Sequence, residues 1–232
     1  MAELLWLDDP GIEIALRRSA RARRFTLSVP QNGDAPRVTV PPSAALTDVR
    51  MFLMRQSDWL RAALERTPPV VAVKDGSGLP VGGTMLHVVQ ITGRRRPPFI
   101  KDDQLVLSGP GAPGPRIAAW LKERARSALA PIARHCAAEL DRDIGRITLR
   151  DTKGRWGSCT SKGDLSFSWR LAMAPPEVLD YVAAHEAAHL VEMNHGPQFW
   201  ALVDQLRPNW KTQRDWLKRE GAALHRYRFD SP

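Results

Sequence analysis

The sequence predicts an α+β fold, with a strand-rich N-terminal half and a mainly helical C-terminal half that includes a small sheet. Short runs with alternating or β-branched residues dominate the first hundred residues, which indicates strands. Longer runs with apolar residues at helical spacing dominate after residue 116, which indicates helices. Between them, the segment SGPGAPGPR at residues 108–116 is too rich in Gly and Pro to continue either structure. We therefore expect one region over residues 1–110 and a domain over residues 111–232, although the break also fits a loop inside one body.

The N-terminal half is predicted to consist of five short strands and one helix. The helix covers residues 43–66, where apolar residues recur at the spacing of one buried helical face; they are Leu46, Val49, Leu53, Leu60 and Leu64. The strands are expected at residues 12–16, 25–29, 37–40, 84–91 and 104–108.

The C-terminal half is predicted to carry helices around a strand and a hairpin. Its first helix covers residues 116–141 and should be kinked or split at Pro131, because proline lacks the N–H that a helix interior uses. A helix over residues 175–193 begins with prolines and acidic residues, which suit a helix N-terminus. The other elements are a strand at 146–151, a hairpin of 155–159 and 164–173, and two final helices that contain PQFWALVDQL and NWKTQRDWLKREGAAL.

The composition is that of an ordinary globular protein. Of its 232 residues, 43% are hydrophobic and 25% are charged. No run of 18 apolar residues occurs, so neither a transmembrane helix nor a membrane partner is expected. The start MAELLWLDDPG lacks the basic segment of a signal peptide, and a cytoplasmic location is therefore expected. Cys136 and Cys159 are too few for a disulfide scaffold and too far apart for a cysteine-based zinc site.

The charge balance suggests a polyanionic partner or substrate, since the formal net charge is +9. Arginine is densest in RRSARARR, residues 17–24, and recurs at Arg94–Arg96. We expect these segments to bind nucleic acid weakly through phosphate contacts. The alternative is a solvated surface, because no helix-turn-helix, zinc-finger or RNA-recognition pattern accompanies them.

The segment YVAAHEAAHLVEMNHGPQFW, residues 181–200, predicts a metal site. His185 and His189 are four residues apart, so on a helix they share one face and can bind one ion. Glu186 lies about 100° around the helix from His185, which keeps it out of the ligand shell but near a bound water. His195 is the candidate third ligand, and three ligands leave a position open for water. We therefore expect one Zn²⁺ per chain.

The residues around the histidines add two expectations. The helix should end near Asn194, because Asn194 and Gly196 tolerate the left-handed geometry that would turn the chain back toward the ion. Small residues beside the histidine pair should leave space around it; they are Ala183, Ala184, Ala187 and Ala188. A buried helix with hydrogen-bonded histidines is the alternative.

These parts predict hydrolysis by an activated water. A bound metal lowers the pKa of its water from about 15.7 toward about 7 and polarises the attacked oxygen. Glu186 takes the proton, the hydroxide attacks a carbonyl or phosphoryl centre, and Glu186 passes the proton to the leaving group.

The chain resembles the YgjP-like metal-dependent hydrolases, also called DUF45 or M48-type, and is similar in pattern to WLM and SprT-like metalloproteases. The resemblance implies a zincin-like domain over residues 111–232, in which His185, His189 and His195 bind the metal and Glu186 is the base. Ala187 stands where the family usually has Leu. The matching segments are RRSARARRFTLSVP, WLRAALER, RWGSC, WRL, PPEVLDYV, HEAAHL and NHGPQFW, so the resemblance spans most of the chain.

Two arginines are further candidate catalytic residues. Arg155 in RWGSC and Arg170 in WRL lie beside the strand expected to border the cleft, where they would stabilise an anionic transition state. The alternative is that both are surface charges and that Trp156 packs against the metal-binding helix. Cys159 is not expected as a fourth ligand, since it would close the open position.

Three functions fit the sequence. The first is a zinc-dependent metallopeptidase whose edge strand 164–172 pairs with an extended peptide, with a nucleic-acid-associated protease as a variant. The second is a metal-dependent nucleotide phosphohydrolase of the pyrophosphatase type. The basic charge favours it, whereas the lack of a phosphate-binding G-x-x-x-x-G-K-[ST] loop and of an Asp-rich cluster does not. The third is a nucleic-acid-binding protein with structural zinc. Glu186 argues against it, because a structural zinc site does not need a base beside an open position.

Overall fold

The computed structural model describes residues 3–30 and 33–230, and it has the predicted α+β fold. The chain divides into two compact units, Met1–Val70 and Val71–Pro232. Unit 1 is built from one sheet and two helices. Unit 2 contains the remaining helices and sheets, and all the predicted site residues belong to it.

Unit 1 packs two helices on a four-stranded sheet with strand order β1-β2-β4-β3. Strands β2 and β4 are parallel, and the other neighbours are antiparallel. The elements are β1 (Glu3–Leu7), β2 (Ile12–Arg18), β3 (Thr26–Ser28), β4 (Arg37–Val40), α1 (Leu46–Arg55) and α2 (Ser57–Glu65).

The core of unit 1 joins the sheet to both helices. Ile14 and Val38 of the sheet are fully buried together with Leu53 of α1 and Leu60 of α2. The single helix expected over residues 43–66 is interrupted at Gln56, whose backbone has φ −100° and ψ 7°. The interruption separates the two helices while both leucines stay in the core.

In its described residues, 71–230, unit 2 has two larger sheets, a two-stranded sheet and four α-helices. Its elements are β5 (Val71–Ala72), β6 (Gly78–Val81), β7 (Thr84–Ile91), β8 (Phe99–Lys101), β9 (Gln104–Ser108), α3 (Pro113–Glu139), β10 (Ile147–Arg150), β11 (Gly157–Cys159), β12 (Leu165–Ser168), α4 (Pro176–Ala188), α5 (Pro197–Leu206), α6 (Trp210–Glu220) and β13 (Tyr227–Arg228). Short 3₁₀ helices follow β12 at Trp169–Met173 and α6 at Gly221–Arg226.

The sheets of unit 2 combine parallel and antiparallel pairs. One has the strand order β6-β7-β9-β8, and the second has the order β10-β12-β11. In the second sheet, β12 runs parallel to β10 and antiparallel to β11. Strand β11 is therefore an edge strand, whereas β12 lies in the middle.

The expected division at residues 108–116 falls inside unit 2. Leu79 and Leu105 of the first sheet share one core with Leu121 and Leu129 of α3, so strands β6 to β9 belong with the helices that follow them. The Gly- and Pro-rich segment is a short loop within this unit, and α3 begins inside it at Pro113, because prolines are tolerated in the first turn of a helix.

Helix α3 packs in the core of unit 2. It continues past Pro131, so the helix is not split there, which was one of the two expected outcomes. Ala125, Leu129 and Ala133 of this helix are fully buried in the core. Within the described residues, no helix is long and apolar enough to cross a membrane.

Candidate metal centre

Three histidines of unit 2 meet at the C-terminal end of α4. His185 lies in the last turn of the helix, His189 caps it, and His195 follows in the next loop. One ligand nitrogen from each ring lies within 4.8 Å of the others, and the Nε2 atoms of His185 and His195 are 3.1 Å apart. Nitrogens that share a tetrahedral Zn²⁺ lie about 3.4 Å apart, so small side-chain rotations suit the three rings to one ion.

Neighbouring groups orient two of the three rings. His189 Nδ1 lies 3.0 Å from the carbonyl oxygen of Glu192. Because a carbonyl only accepts, Nδ1 is the donor, and Nε2 remains free to bind an ion. His185 Nδ1 lies 3.4 Å from the hydroxyl of Tyr181, one helical turn earlier. Such partners fix the tautomer and direction of a ligand imidazole.

Burial favours the neutral form of His185 and His189, which is the form that metal ligands require. Burial, reinforced by His189 and His195, lowers the pKa of His185 to about 3. Burial also lowers the pKa of His189. The ring of Phe199 from α5 lies beneath all three histidines, with centroid distances of 4.8, 4.5 and 4.7 Å. This apolar base contributes to the burial.

The turn that brings His195 back differs from the expected one. Helix α4 ends at Ala188 rather than near Asn194, and Gly196 has a φ of −80°, outside the left-handed region. The Glu192 side chain stabilises the turn instead, because its Oε1 accepts a 3.0 Å hydrogen bond from the backbone N–H of Asn194. A side-chain hydrogen bond thus stabilises the turn that a residue in the left-handed conformation was expected to form.

The alanines beside the histidines serve helix packing and do not line the cavity. Ala184 and Ala187 pack against Cys136 of α3 and Leu206 of α5. Small side chains here allow α3 and α4 to approach closely. They do not create the open space in front of the histidines.

Glu186 is buried beside the histidines and lies against strand β11. Only 5% of its surface is exposed, and burial raises its pKa to about 8, although the charge of Arg155 acts in the opposite direction. A Cβ atom at position 157 would lie 2.7 Å from the carboxyl carbon of Glu186. Gly157 therefore provides the room that the carboxylate occupies.

A cavity of about 590 Å³ opens in front of Glu186 and the three histidines. One wall is β11, an edge strand. The strand expected at the cleft, residues 164–172, is reduced to β12 and lies in the middle of its sheet, so β11 takes that position. The other lining residues are Arg155, Trp156, Tyr181, Val182, Met193, Arg214, Leu217 and Lys218.

The two candidate arginines have different surroundings. Arg155 lines the cavity. Arg170 is buried and forms a two-point ion pair with Asp151, at 2.7 and 3.1 Å. It also donates to the carbonyl oxygens of Leu224 and Tyr227, at 2.9 and 3.1 Å. These bonds occupy its guanidinium, so the geometry gives Arg170 a structural role instead of the catalytic role that the sequence suggested.

Trp156 and Cys159 of the RWGSC segment also line the cavity. The Trp156 ring lies 5.3 Å from that of His225, and a Cβ atom at Gly221 would be 2.9 Å from it, so Trp156 is packed on the C-terminal segment. Cys159 lines the cavity, and burial raises the pKa of its thiol to about 11. Its sulfur is not among the ligand atoms that converge at the three histidines.

Sequence reasoning missed four residues of the site: Gly157, Tyr181, Arg214 and Lys218. Tyr181 was detectable, because it stands four residues before His185 and so faces the same way. Arg214 and Lys218 carry no such signal, since α6 reaches the cavity only through the tertiary fold.

The chain is similar to a known metallopeptidase domain. A family model described as YgjP-like, metallopeptidase domain, matches residues 23–220. Among solved structures, the chain is similar to the metallopeptidase zymogen of Pyrococcus abyssi abylysin, at 21% identity and a TM-score of 0.33, over 44% of this chain and 93% of that one. None of the curated proteins compared with the chain matches it.

Substituting Gly157 by Ala should displace Glu186 while leaving the histidines in place. We expect Gly157→Ala to retain its metal but to lose about 10²-fold in kcat/KM, as small misplacements of a catalytic group do. Gly154→Ala is the matched control, because a Cβ atom there meets nothing within 4 Å. Metal content and turnover of both variants provide the test, and wild-type turnover in Gly157→Ala would contradict the packing argument.

Substituting Arg170 by Met should lower stability without affecting the metal site. The change leaves two buried carbonyl oxygens without their donor, and each loss costs about 1–3 kcal/mol. We expect a clearly lower melting temperature and an unchanged metal content. Arg150→Met, at an exposed position of β10, is the control. Loss of turnover at full stability would restore a catalytic role for Arg170.

Proposed function

The chain belongs to the YgjP-like metallopeptidase-domain family and is a metal-dependent hydrolase; from this premise we propose that it is a zinc-dependent peptidase with Glu186 as general base. The observation that carries the proposal is the position of Glu186. It is buried next to His185, is held against Gly157, and opens on the same cavity as all three histidines. A purely structural metal site has no need for a carboxylate in this place.

The donor set supports zinc as the ion. Three neutral imidazoles with a position left open are typical of catalytic zinc sites. His185, His189 and His195 would hold the ion, which when bound supplies a Lewis acid that polarises the attacked carbonyl and favours ionisation of water.

The proposed steps of the chain's own residues follow from the cavity. An extended peptide would pair with the free edge of β11, which places its backbone in front of Glu186. Glu186 takes a proton from the attacking water and delivers it to the leaving amine. Arg155, on the same wall, would stabilise the negative charge that develops on the attacked oxygen.

Nucleotide phosphohydrolysis is the second candidate. The basic side chains of Arg155, Arg214 and Lys218 in the cavity favour it. However, Glu186 is the one carboxylate among the lining residues, whereas Mg²⁺-dependent phosphoryl transfer commonly uses carboxylate ligands. Peptides are therefore the preferred candidate substrates.

Weak nucleic-acid binding and a cytoplasmic location remain proposals. The five arginines of residues 17–24 and those at Arg94–Arg96 are exposed, as phosphate contacts require. They lie in different units. If the protein is a nucleic-acid-associated protease, at least one of these two segments must bind nucleic acid.

Substituting Glu186 by Gln tests the proposed base. Gln has nearly the same shape but accepts no proton, so we expect Glu186→Gln to keep its zinc and its melting temperature while losing about 10²–10⁴-fold in turnover. His185→Ala should instead lose the zinc. Zinc content, melting temperature and hydrolysis of unfolded protein and nucleoside triphosphates would be measured for both variants.

The two variants separate a catalytic site from a structural one. Full peptidase activity in Glu186→Gln would refute the general base. A silent Glu186→Gln with an unfolded His185→Ala would indicate structural zinc. Hydrolysis of nucleoside triphosphates that is lost in Glu186→Gln, without any peptide cleavage, would decide for the second candidate.

A further inference from the structure

The active-site cavity has a basic rim, which we define as Arg155, Arg214 and Lys218. Glu186 is the one carboxylate among the lining residues, and it is buried at the base of the cavity. The walls of the cavity therefore carry an excess of positive charge before any divalent ion is counted. A cleft lined by one sign of charge attracts ligands of the other sign.

Two members of the basic rim come from one face of α6. Arg214, Leu217 and Lys218 are three and four residues apart, so all three side chains point into the cavity. The Arg214 guanidinium lies 4.7 Å from the ring centroid of Trp210, a cation–π contact that restricts its position. Leu217 provides an apolar surface between the two cations.

Asp215 only partly neutralises these two cations. Its Oδ1 lies 3.3 Å from Arg214 Nε and 3.4 Å from Lys218 Nζ, and its side chain is 55% exposed. Exposed pairs of this kind contribute about 0–1 kcal/mol. A substrate carboxylate can therefore compete for Arg214 and Lys218.

The third member lies beside the strand that would bind the substrate. Arg155 stands two residues before Gly157, where β11 begins. In the described part of the chain it is exposed and makes no ion pair. A peptide paired with β11 would thus have a cation near its backbone and two more on α6.

We propose that the basic rim, chiefly Arg214 and Lys218, binds a carboxylate of the peptide substrate, so that the enzyme prefers acidic peptides. The inference rests on the proposed peptidase function and specifies its substrate class. Leu217 and Trp156 would pack against the aliphatic part of the bound residue. The carboxylate belongs either to an Asp or Glu side chain or to the C-terminus of a short peptide, and both make the same contacts.

Matched peptides separate these two sources. One series of quenched fluorescent peptides carries Glu, Gln or Lys next to the scissile bond on either side, and a second compares a free C-terminal carboxylate with its amide. With zinc-loaded protein we expect the Glu peptide to have a kcat/KM about tenfold higher than the Gln peptide, if the carboxylate is a side chain. If it is the C-terminus, we expect the same ratio between the free acid and the amide. The Lys peptide should be cleaved most slowly. The preference should shrink as salt is raised, because exposed charges are screened.

Variants of α6 show whether the basic rim causes the preference. Lys218→Gln should reduce the acid preference by about two- to fivefold, the range of one exposed charge pair. Lys218→Glu should reduce it further and improve the Lys peptide. Arg219→Gln is the matched control, since Arg219 is on the same helix, pairs with Glu220 and does not line the cavity. The control should behave as wild type.

The outcomes distinguish this inference from the proposed function. Equal cleavage of acidic, amide and basic peptides would show that the basic rim does not select substrates. The proposed peptidase function would be unaffected by that result. An acid preference that survives Lys218→Glu, Arg214→Gln and Arg155→Gln would also overturn it. Failure to cleave any peptide, with Glu186-dependent hydrolysis of nucleoside triphosphates, would overturn the peptidase proposal itself.

Discussion

The close approach of strand β11 to helix α4 is the constraint on which the site depends. At Gly157 the strand has no side chain, and the Glu186 carboxylate occupies that space. The contact buries Glu186, fixes its direction relative to His185 and His189, and makes β11 one wall of the cavity. Because β11 is an edge strand, its outer edge remains available to a peptide. A larger residue at position 157 would disturb all of these features together.

Burial gives the histidines and Glu186 complementary properties. It lowers the pKa values of His185 and His189 and raises that of Glu186, so that it favours the neutral form of all three side chains. Phe199 supplies much of the apolar surface beneath the rings. The cations lie farther out, at Arg155 and on α6, where solvent reaches them. The three histidines therefore lie behind a basic entrance.

Local spacing explains what the sequence could predict. His185 and His189 share a face because they are one helical turn apart, and most of the predicted strands and helices occur near their expected places. The end of α4 was misjudged because a Glu192 side-chain bond stabilises the turn, which left-handed propensity does not reveal. Arg170 was misassigned because its partners, such as Tyr227, are distant in sequence. The contribution of α6 to the cavity depends on tertiary packing in the same way, as does the division of the units after Val70.

Zinc coordination in the loaded protein, measured by X-ray absorption at the zinc edge, shows directly whether the three histidines form an open catalytic centre. We expect three imidazole nitrogens at about 2.0–2.1 Å, an oxygen in the remaining position, and the loss of one nitrogen in His195→Ala. A sulfur at about 2.3 Å would mean that Cys159 closes the site as a fourth protein ligand. That result, or a spectrum unchanged by His195→Ala, would contradict an open catalytic centre built from these three histidines.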